Sequence, residues 1–374
     1  MSASTDLAVI IVSSSTARNL EFYSAVDHTR LKKIEGLLAE PHEIALDPTR
    51  RLAYITHTYR AGAYGERNEK AHEISIIDVD RQEITGIINI APYKAPHDIE
   101  YDQLRDLLYV GVEDIDGRNG LVMIDPTERK IVGNVPLSAP NAHWLAVTPA
   151  GKVYVTHKEA PVVSAIDPTA REVVATIPMP GGAEELDADP SGDYVYVVTP
   201  KVKYEVGAPG QIFRVPLRDG DVVPRLVKID TRTDEIVGEI EFDDYNSGIR
   251  VTTDGRVLVT RMRFLDRGVE SPPGAPRALP NGELIVVDGK TMTVQGRVDV
   301  GPMPITVRGS ADASRAWVSN LGNGKVSVVD LAEVRVIAEL HNNVGRGYGG
   351  THGLTFVPPG KAPRAGGQAE AKRE

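Results

Sequence analysis

The dipeptide Pro-His opens two stretches of otherwise apolar sequence, AEPHEIALDP with His42 and APHDIEYD with His97. A looser version, NAHWLAVTP, carries His143, and THGLTFVPP near the C-terminus carries His352. Each phrase reads as a short strand running into a turn. Aligned on that turn, the slot six residues before it is held along the chain by His42, His97, His143, Glu184, Ser247, Ile305 and His352. With nine histidines in 374 residues, four in seven prescribed places is roughly a one in 10⁵ event, so chance placement is excluded. Imidazole is the commonest metal ligand, and several neutral imidazoles with a carboxylate suit Fe, Zn, Cu, Mn or Ni better than Mg or Ca. The expectation is a divalent transition metal, Fe(II) favoured, on His42, His97, His143 and His352. Glu184 would be a further ligand or the catalytic base. Such an ion activates O₂ or polarises a carbonyl of a small organic substrate.

The elements that must position these residues repeat along the whole chain. A strand ending in Asp, a polar turn and a further strand recur as YSAVDHTRLKKI, ISIIDVDRQEI, VMIDPTERKI, SAIDPTAREV, VKIDTRTDEI, IVVDGKTMTV and SVVDLAEVRV, with Asp27, Asp78, Asp125, Asp167, Asp230, Asp288 and Asp330. Between them come turn-then-strand phrases such as DPTRRLAYITH, PAGKVYVTH and ADASRAWVSN. Four short strands per unit, here A to D, predict an all-β, seven-bladed β-propeller. The N-terminal segment supplies strands B–D without an A strand, and THGLTFVPP is an A strand with nothing after it. Together they make the closing blade, which leaves no open sheet edge. The reading is one domain over 1–358 and a disordered tail over 359–374.

In such a ring the slot lies where each A strand starts, on the face that also carries the B–C loops. All the long insertions are B–C loops: 59–71, about 201–223 and about 262–281. Loops on a rigid scaffold are where function concentrates. His57 and His157 end B strands, His72 begins a C strand and His341 ends a D strand, all towards that face, whereas His28 falls at the other. One conflict stays open. By strict strand alternation the slot shares its face with Ile44 and Leu46, which pack between blades. Glu43, Asp98, Glu100, Glu185, Asp187, Arg250 and Arg308 would then line the channel, as mutual ion pairs.

The phrases YITH, YVTH and WVSN, each followed by a strand ending in Asp, resemble the YVTN repeat of seven-bladed propellers over essentially residues 6–358. That resemblance implies the fold. Asn is the last residue of the family phrase, and His57 and His157 stand in its place, implying a structural hydrogen-bonding role. The Pro-His phrases are also similar to the A-strand P-H-x-I of the streptogramin (virginiamycin B) lyase family, matched by His42 and His97 and more loosely by His352. That similarity implies a divalent metal and a general base eliminating across an ester bond. Four histidines from separate blades also resemble, in architecture, the Fe(II) site of carotenoid-oxygenase propellers.

Composition narrows the remaining classes. Lys+Arg 42 against Asp+Glu 52 gives a net charge of −10 with no basic stripe, so nucleic acid and anionic membranes are poor partners. There is no cysteine, which excludes thiolate ligands and Cys nucleophiles. No stretch approaches the ~20 apolar residues of a membrane helix and no signal peptide is visible, so a cytoplasmic protein without an obligate protein partner is expected. The glycines of GRGYGGTH at 345–352 lack the strand–helix context of a phosphate loop. The rival class is a non-catalytic propeller whose loop-bearing face binds a protein or a glycan.

Overall fold

Strand follows strand from Val9 to Val357, and among the described residues no helix is long and apolar enough to cross a membrane. The computed structural model describes residues 8–360, apart from 16, 62–68, 116–117, 159, 180, 201–202, 207–211, 216–221, 264–278 and 343–349. The tail from 361, most of the second and third B–C insertions, and 345–349 of the glycine-rich loop lie outside the described residues.

Seven four-stranded antiparallel sheets form the blades of a propeller. Blade 1 runs Pro41–Asp47, Leu52–His57, Glu73–Asp78 and Glu83–Asn89. Blades 2 to 6 follow in order, with A strands Lys94–Asp102, Ala142–Val147, Leu186–Ala188, Asn246–Val251 and Pro304–Gly309. The closing blade is made as expected: Val9–Ser14 pairs with Thr351–Val357 on one side and with Asn19–Ser24 on the other. Two B–C insertions also carry small ribbons, Tyr59–Ala61 with Glu69–Lys70 and Lys203–Val206 with Ile212–Val215.

The recurring aspartates make the C–D turns. Asp78 Oδ1 accepts the N–H of Asp80 (3.1 Å) and Arg81 (2.9 Å), and Gln82 then adopts a left-handed φ of 56°. Asp125, Asp167, Asp230, Asp288 and Asp330 repeat this cap. The closing blade departs from the sequence reading. There Ser24 Oγ accepts from Val26 and Asp27, and His28 takes the left-handed position with φ 66°. Asp27 therefore sits inside the turn, because a short hydroxyl does the capping three residues earlier.

The Val- and Ile-rich faces meet between blades in seven buried clusters. Ile11 and Phe22 of the closing blade, for instance, pack on Ile44 and Ile55 of blade 1. Each such side chain contributes ~1.5–3 kcal/mol by leaving water, so the ring is held by its blade interfaces and the axis is left for polar residues.

Candidate metal centre

The conflict over side-chain direction is resolved by a bulge. In blade 1 Pro41 pairs with His57 and Ile44 with Ile55, so both His42 and Glu43 stand opposite the single residue Thr56. The same two-for-one step sets His97–Asp98 opposite Gly111, His143–Trp144 opposite Thr156, and His352–Gly353 opposite Ser13. Blades 5 and 6 repeat it at Ser247–Gly248 and Ile305–Thr306. In blade 4 Val198 bonds to both Glu184 and Glu185. An extra residue breaks alternation and re-aims side chains. The slot thus turns to the axis, while Ile44 beyond it still packs between blades.

A hydroxyl locks each bulge where the B strand supplies one. Thr56 Oγ1 accepts the N–H of Glu43 at 3.0 Å and donates to His97 O, in the next blade, at 2.6 Å. Thr156 does the same for Trp144 and Glu184 O (3.0 and 2.8 Å), and Thr260 for Gly248 and Ile305 O (2.6 and 3.1 Å). This hydroxyl is the third residue of YITH and YVTH.

The four slot histidines form one arc of touching rings. Centroids are 4.0 Å apart for His352–His42, 4.1 Å for His42–His97 and 4.4 Å for His97–His143. Glu43, fully buried, joins them: its Oε1 accepts from His352 Nδ1 at 2.7 Å and lies 3.7 Å from His42 Nδ1. Among the described residues, the ligand atoms of His42, Glu43 and His352 lie within 4.8 Å of one another. His42 Nδ1, His97 Nδ1 and Glu43 Oε2 are buried without a hydrogen-bond partner among those residues. Burial first, then the neighbouring imidazoles, hold His42 and His97 well below the usual histidine range, which leaves them as neutral donors.

The other end of the arc is engaged differently. His143 Nδ1 lies 3.0 Å from Glu184 O, and its Nε2 is 3.4 Å from Lys158 Nζ. Lys158 Nζ also pairs with Glu184 Oε1 at 3.0 Å. Ser247 and Ile305 occupy the slots of blades 5 and 6, and Ile305 and Tyr245 pack on buried Met262, Met303 and Leu321. The mouth therefore has a polar arc and an apolar wall.

Below the slots the expected charged lining is present. Arg250 pairs with Asp187 at 3.4 Å and approaches Glu100 at 3.9 Å, acids of blades 4 and 2. Arg308 instead donates to Val307 O and lies 5.9 Å over the Trp144 ring. Burial raises the carboxyls of Asp98 and Glu185 well above the usual range, with neighbouring acids adding to it. At the opposite mouth Glu100, Arg250 and Arg308 border a cavity of about 260 Å³.

Of the remaining histidines, His57, His72 and His157 have local partners. His57 Nε2 meets Ser75 Oγ at 2.7 Å and His157 Nε2 meets Ser164 Oγ at 2.9 Å, just as Asn320 Nδ2 donates to Ser327 Oγ at 3.0 Å. The Asn position of the repeat phrase is thus a B-to-C strand tie. His72 Nδ1 sits 2.5 Å from Tyr93 O. Sequence reasoning missed Glu43 as a member of the arc, and Lys158 altogether. Glu43 is a neighbour of the slot in sequence, but alternation assigned it elsewhere; a lysine just past the end of a strand gives no signal.

No protein-family model matches the sequence, and no curated protein matches it either. Among solved structures, hydrazine synthase from Kuenenia stuttgartiensis is similar at 13% identity and a TM-score of 0.64, covering 86% of this chain and 91% of that one. A functionally unknown protein from Desulfotomaculum acetoxidans DSM 771 is similar at 12% identity and a TM-score of 0.66, over 94% and 99% of the two chains. The dihydro-heme d1 dehydrogenase NirN, in complex with DHE, is similar at 14% identity and a TM-score of 0.57, over 96% of this chain and 76% of that chain. These likenesses establish the propeller fold.

Proposed function

We propose that the loop-bearing mouth of the channel binds one divalent transition-metal ion, Fe(II) by preference, and that the protein is an oxidoreductase acting on a small organic substrate. The observation that carries this reading is the convergence of His42, His352 and Glu43, with buried nitrogen and oxygen atoms left unpaired. Two imidazoles and one carboxylate with open positions are the donor set of non-haem iron(II) oxygenases. His97, whose ring stands 4.1 Å from that of His42 but outside the converging group of three, would be the fourth donor. Imidazoles bound side by side to one ion have ring centres roughly 4.5 Å apart, given metal–nitrogen bonds of ~2.0–2.1 Å. The observed 4.0–4.4 Å between successive rings fits that spacing. A bound Fe(II) would supply the redox chemistry. The chain's own part is to keep the imidazoles neutral and to offer Ile305, Tyr245 and the Met262/Met303/Leu321 cluster as a dry wall for the substrate's hydrocarbon.

The test is metal analysis of protein stripped with a chelator and reloaded with Fe(II), Zn(II), Cu(II), Mn(II) or Ni(II). About one ion per chain is expected, lost in His42→Ala/His352→Ala and bound at least 10-fold more weakly in Glu43→Gln. A wild-type protein that stays metal-free with all five ions overturns the reading.

A further inference from the structure

Among the described residues at the mouth, Lys158 is accounted for by neither the repeat nor the metal reading. It follows His157, the last residue of the strand Val153–His157, and its own N–H bonds to Asn141 O at 3.1 Å. That bond pins it across the entry to the blade's A strand. Its side chain reaches inward and is only 16% exposed. Glu184 O can only accept, so His143 Nδ1, at 3.0 Å, carries the ring hydrogen and Nε2 presents the lone pair. That lone pair faces the Lys158 ammonium, 3.4 Å away, and Glu184 Oε1 holds the ammonium at 3.0 Å. The last ligand atom of His143 is therefore engaged by a cation that belongs to the chain.

We propose that Lys158 is a specificity-determining residue, an internal cation that closes His143 to metal and confines the ion to His352, His42, Glu43 and His97. The inference rests on the metal reading above. It divides the arc in two, a metal half on the closing blade and blades 1 and 2, and an ammonium half on blades 3 and 4. Glu184 is then the counter-ion of Lys158 and not a ligand. Two features agree. The ammonium satisfies His143 through Nε2, whereas His42 and His97 each keep a buried ring nitrogen unpaired among the described residues. A fixed positive charge beside the fourth ring, His143, also repels a dication that would move along the arc.

Co(II) is the probe, because its visible spectrum and affinity report the ligand set without any substrate. Chelator-stripped wild type, His97→Ala, His143→Ala, Lys158→Met, Lys158→Gln, Lys158→Arg and Lys158→Met/His143→Ala are titrated, with a thermal melt for each to show that it folds. His143→Ala should leave the Co(II) affinity within about 3-fold of wild type and the spectrum unchanged, while His97→Ala weakens binding at least 10-fold. Lys158→Met should bind at least 10-fold more tightly, or take a second ion, with an altered spectrum. That gain should vanish in Lys158→Met/His143→Ala, and Lys158→Arg should behave as wild type. Should Lys158→Met fail to fold, Lys158→Gln carries the comparison. The inference is overturned if His143→Ala weakens wild-type binding as much as His97→Ala, or if the neutral variants match wild type; the metal reading survives both outcomes. Binding by Lys158→Met but not by wild type would overturn the metal reading and, with it, the confinement of an ion to the other half of the arc. Binding by neither would sink both.

Discussion

One hydroxyl, on Thr56, decides whether the start of blade 1 can hold its shape. It takes the N–H of Glu43 and gives its own hydrogen to His97 O, so the backbone of two site residues hangs on it. Thr56→Val keeps the volume and removes both bonds, leaving a buried amide and a buried carbonyl unpaired at about 1–3 kcal/mol. The expected result is a lower urea midpoint, together with Co(II) affinity reduced about 10-fold because Glu43 and His97 lose a common anchor. Gly111 and Val198, at the matching places in blades 2 and 4, show that the ring tolerates a site without the hydroxyl, so the variant should still fold. His57 and His157 give a second prediction at this scale. Burial lowers both to about 4, against ~6.5 in an unfolded chain. Between those values only the unfolded chain binds the protons, so stability is full above about pH 6.5 and falls as pH drops towards 4. Each histidine accounts for on the order of 3 kcal/mol of that loss. His57→Asn/His157→Asn, which copies the Asn320–Ser327 tie, should flatten the pH dependence of the denaturation midpoint over that window. An unchanged slope would refute it.

At the scale of the strand, what could be read in advance follows a physical division. Turns, periodicity and the apolar interfaces are local, so the seven blades and the closing blade were legible, down to most of the aspartate caps. The slot itself was legible because His42, His97, His143 and His352 share a register. The bulge was not, since a one-residue insertion alters hydrogen bonding without altering composition, and with it went the aim of Glu43. A trace exists in retrospect: Thr or Ser opposite the step, and Gly at its second residue in Gly248 and Gly353. Gly353 shows why glycine is needed. A Cβ there would stand 2.1 Å from His42 O and 3.1 Å from Glu43 Cα, so the A strands of the closing blade and blade 1 meet backbone to backbone. Gly353→Ala must push them apart, at ~1–3 kcal/mol for an overpacked contact. Because His352 and His42 ride on those two strands, the melting temperature and the Co(II) affinity should fall together. Loss of stability with unchanged metal affinity would separate the bulge from the site and count against the arrangement proposed here.

For the whole molecule, the consequence of ring closure is that the site is completed by the last described strand. Thr351–Val357 delivers His352 to Glu43 and His42, and it contributes Leu354 to the interface with blade 6 and Val357 to that with blade 1. A chain ending at Gly350 keeps every other described strand, yet leaves Val9–Ser14 as an unpaired edge beside two opened apolar clusters. Such an edge accepts an added strand. The truncated protein should therefore melt less cooperatively, self-associate and bind no metal at the wild-type affinity. A synthetic peptide covering residues 350–360, supplied in trans, should pair with that edge and restore both the melt and the metal site. The same peptide with His352→Ala restores the melt alone, because closing the ring needs the strand and its apolar face whereas the ion needs the imidazole. If both peptides restored metal binding equally, His352 would be no ligand, and closure of the propeller would be separate from its chemistry.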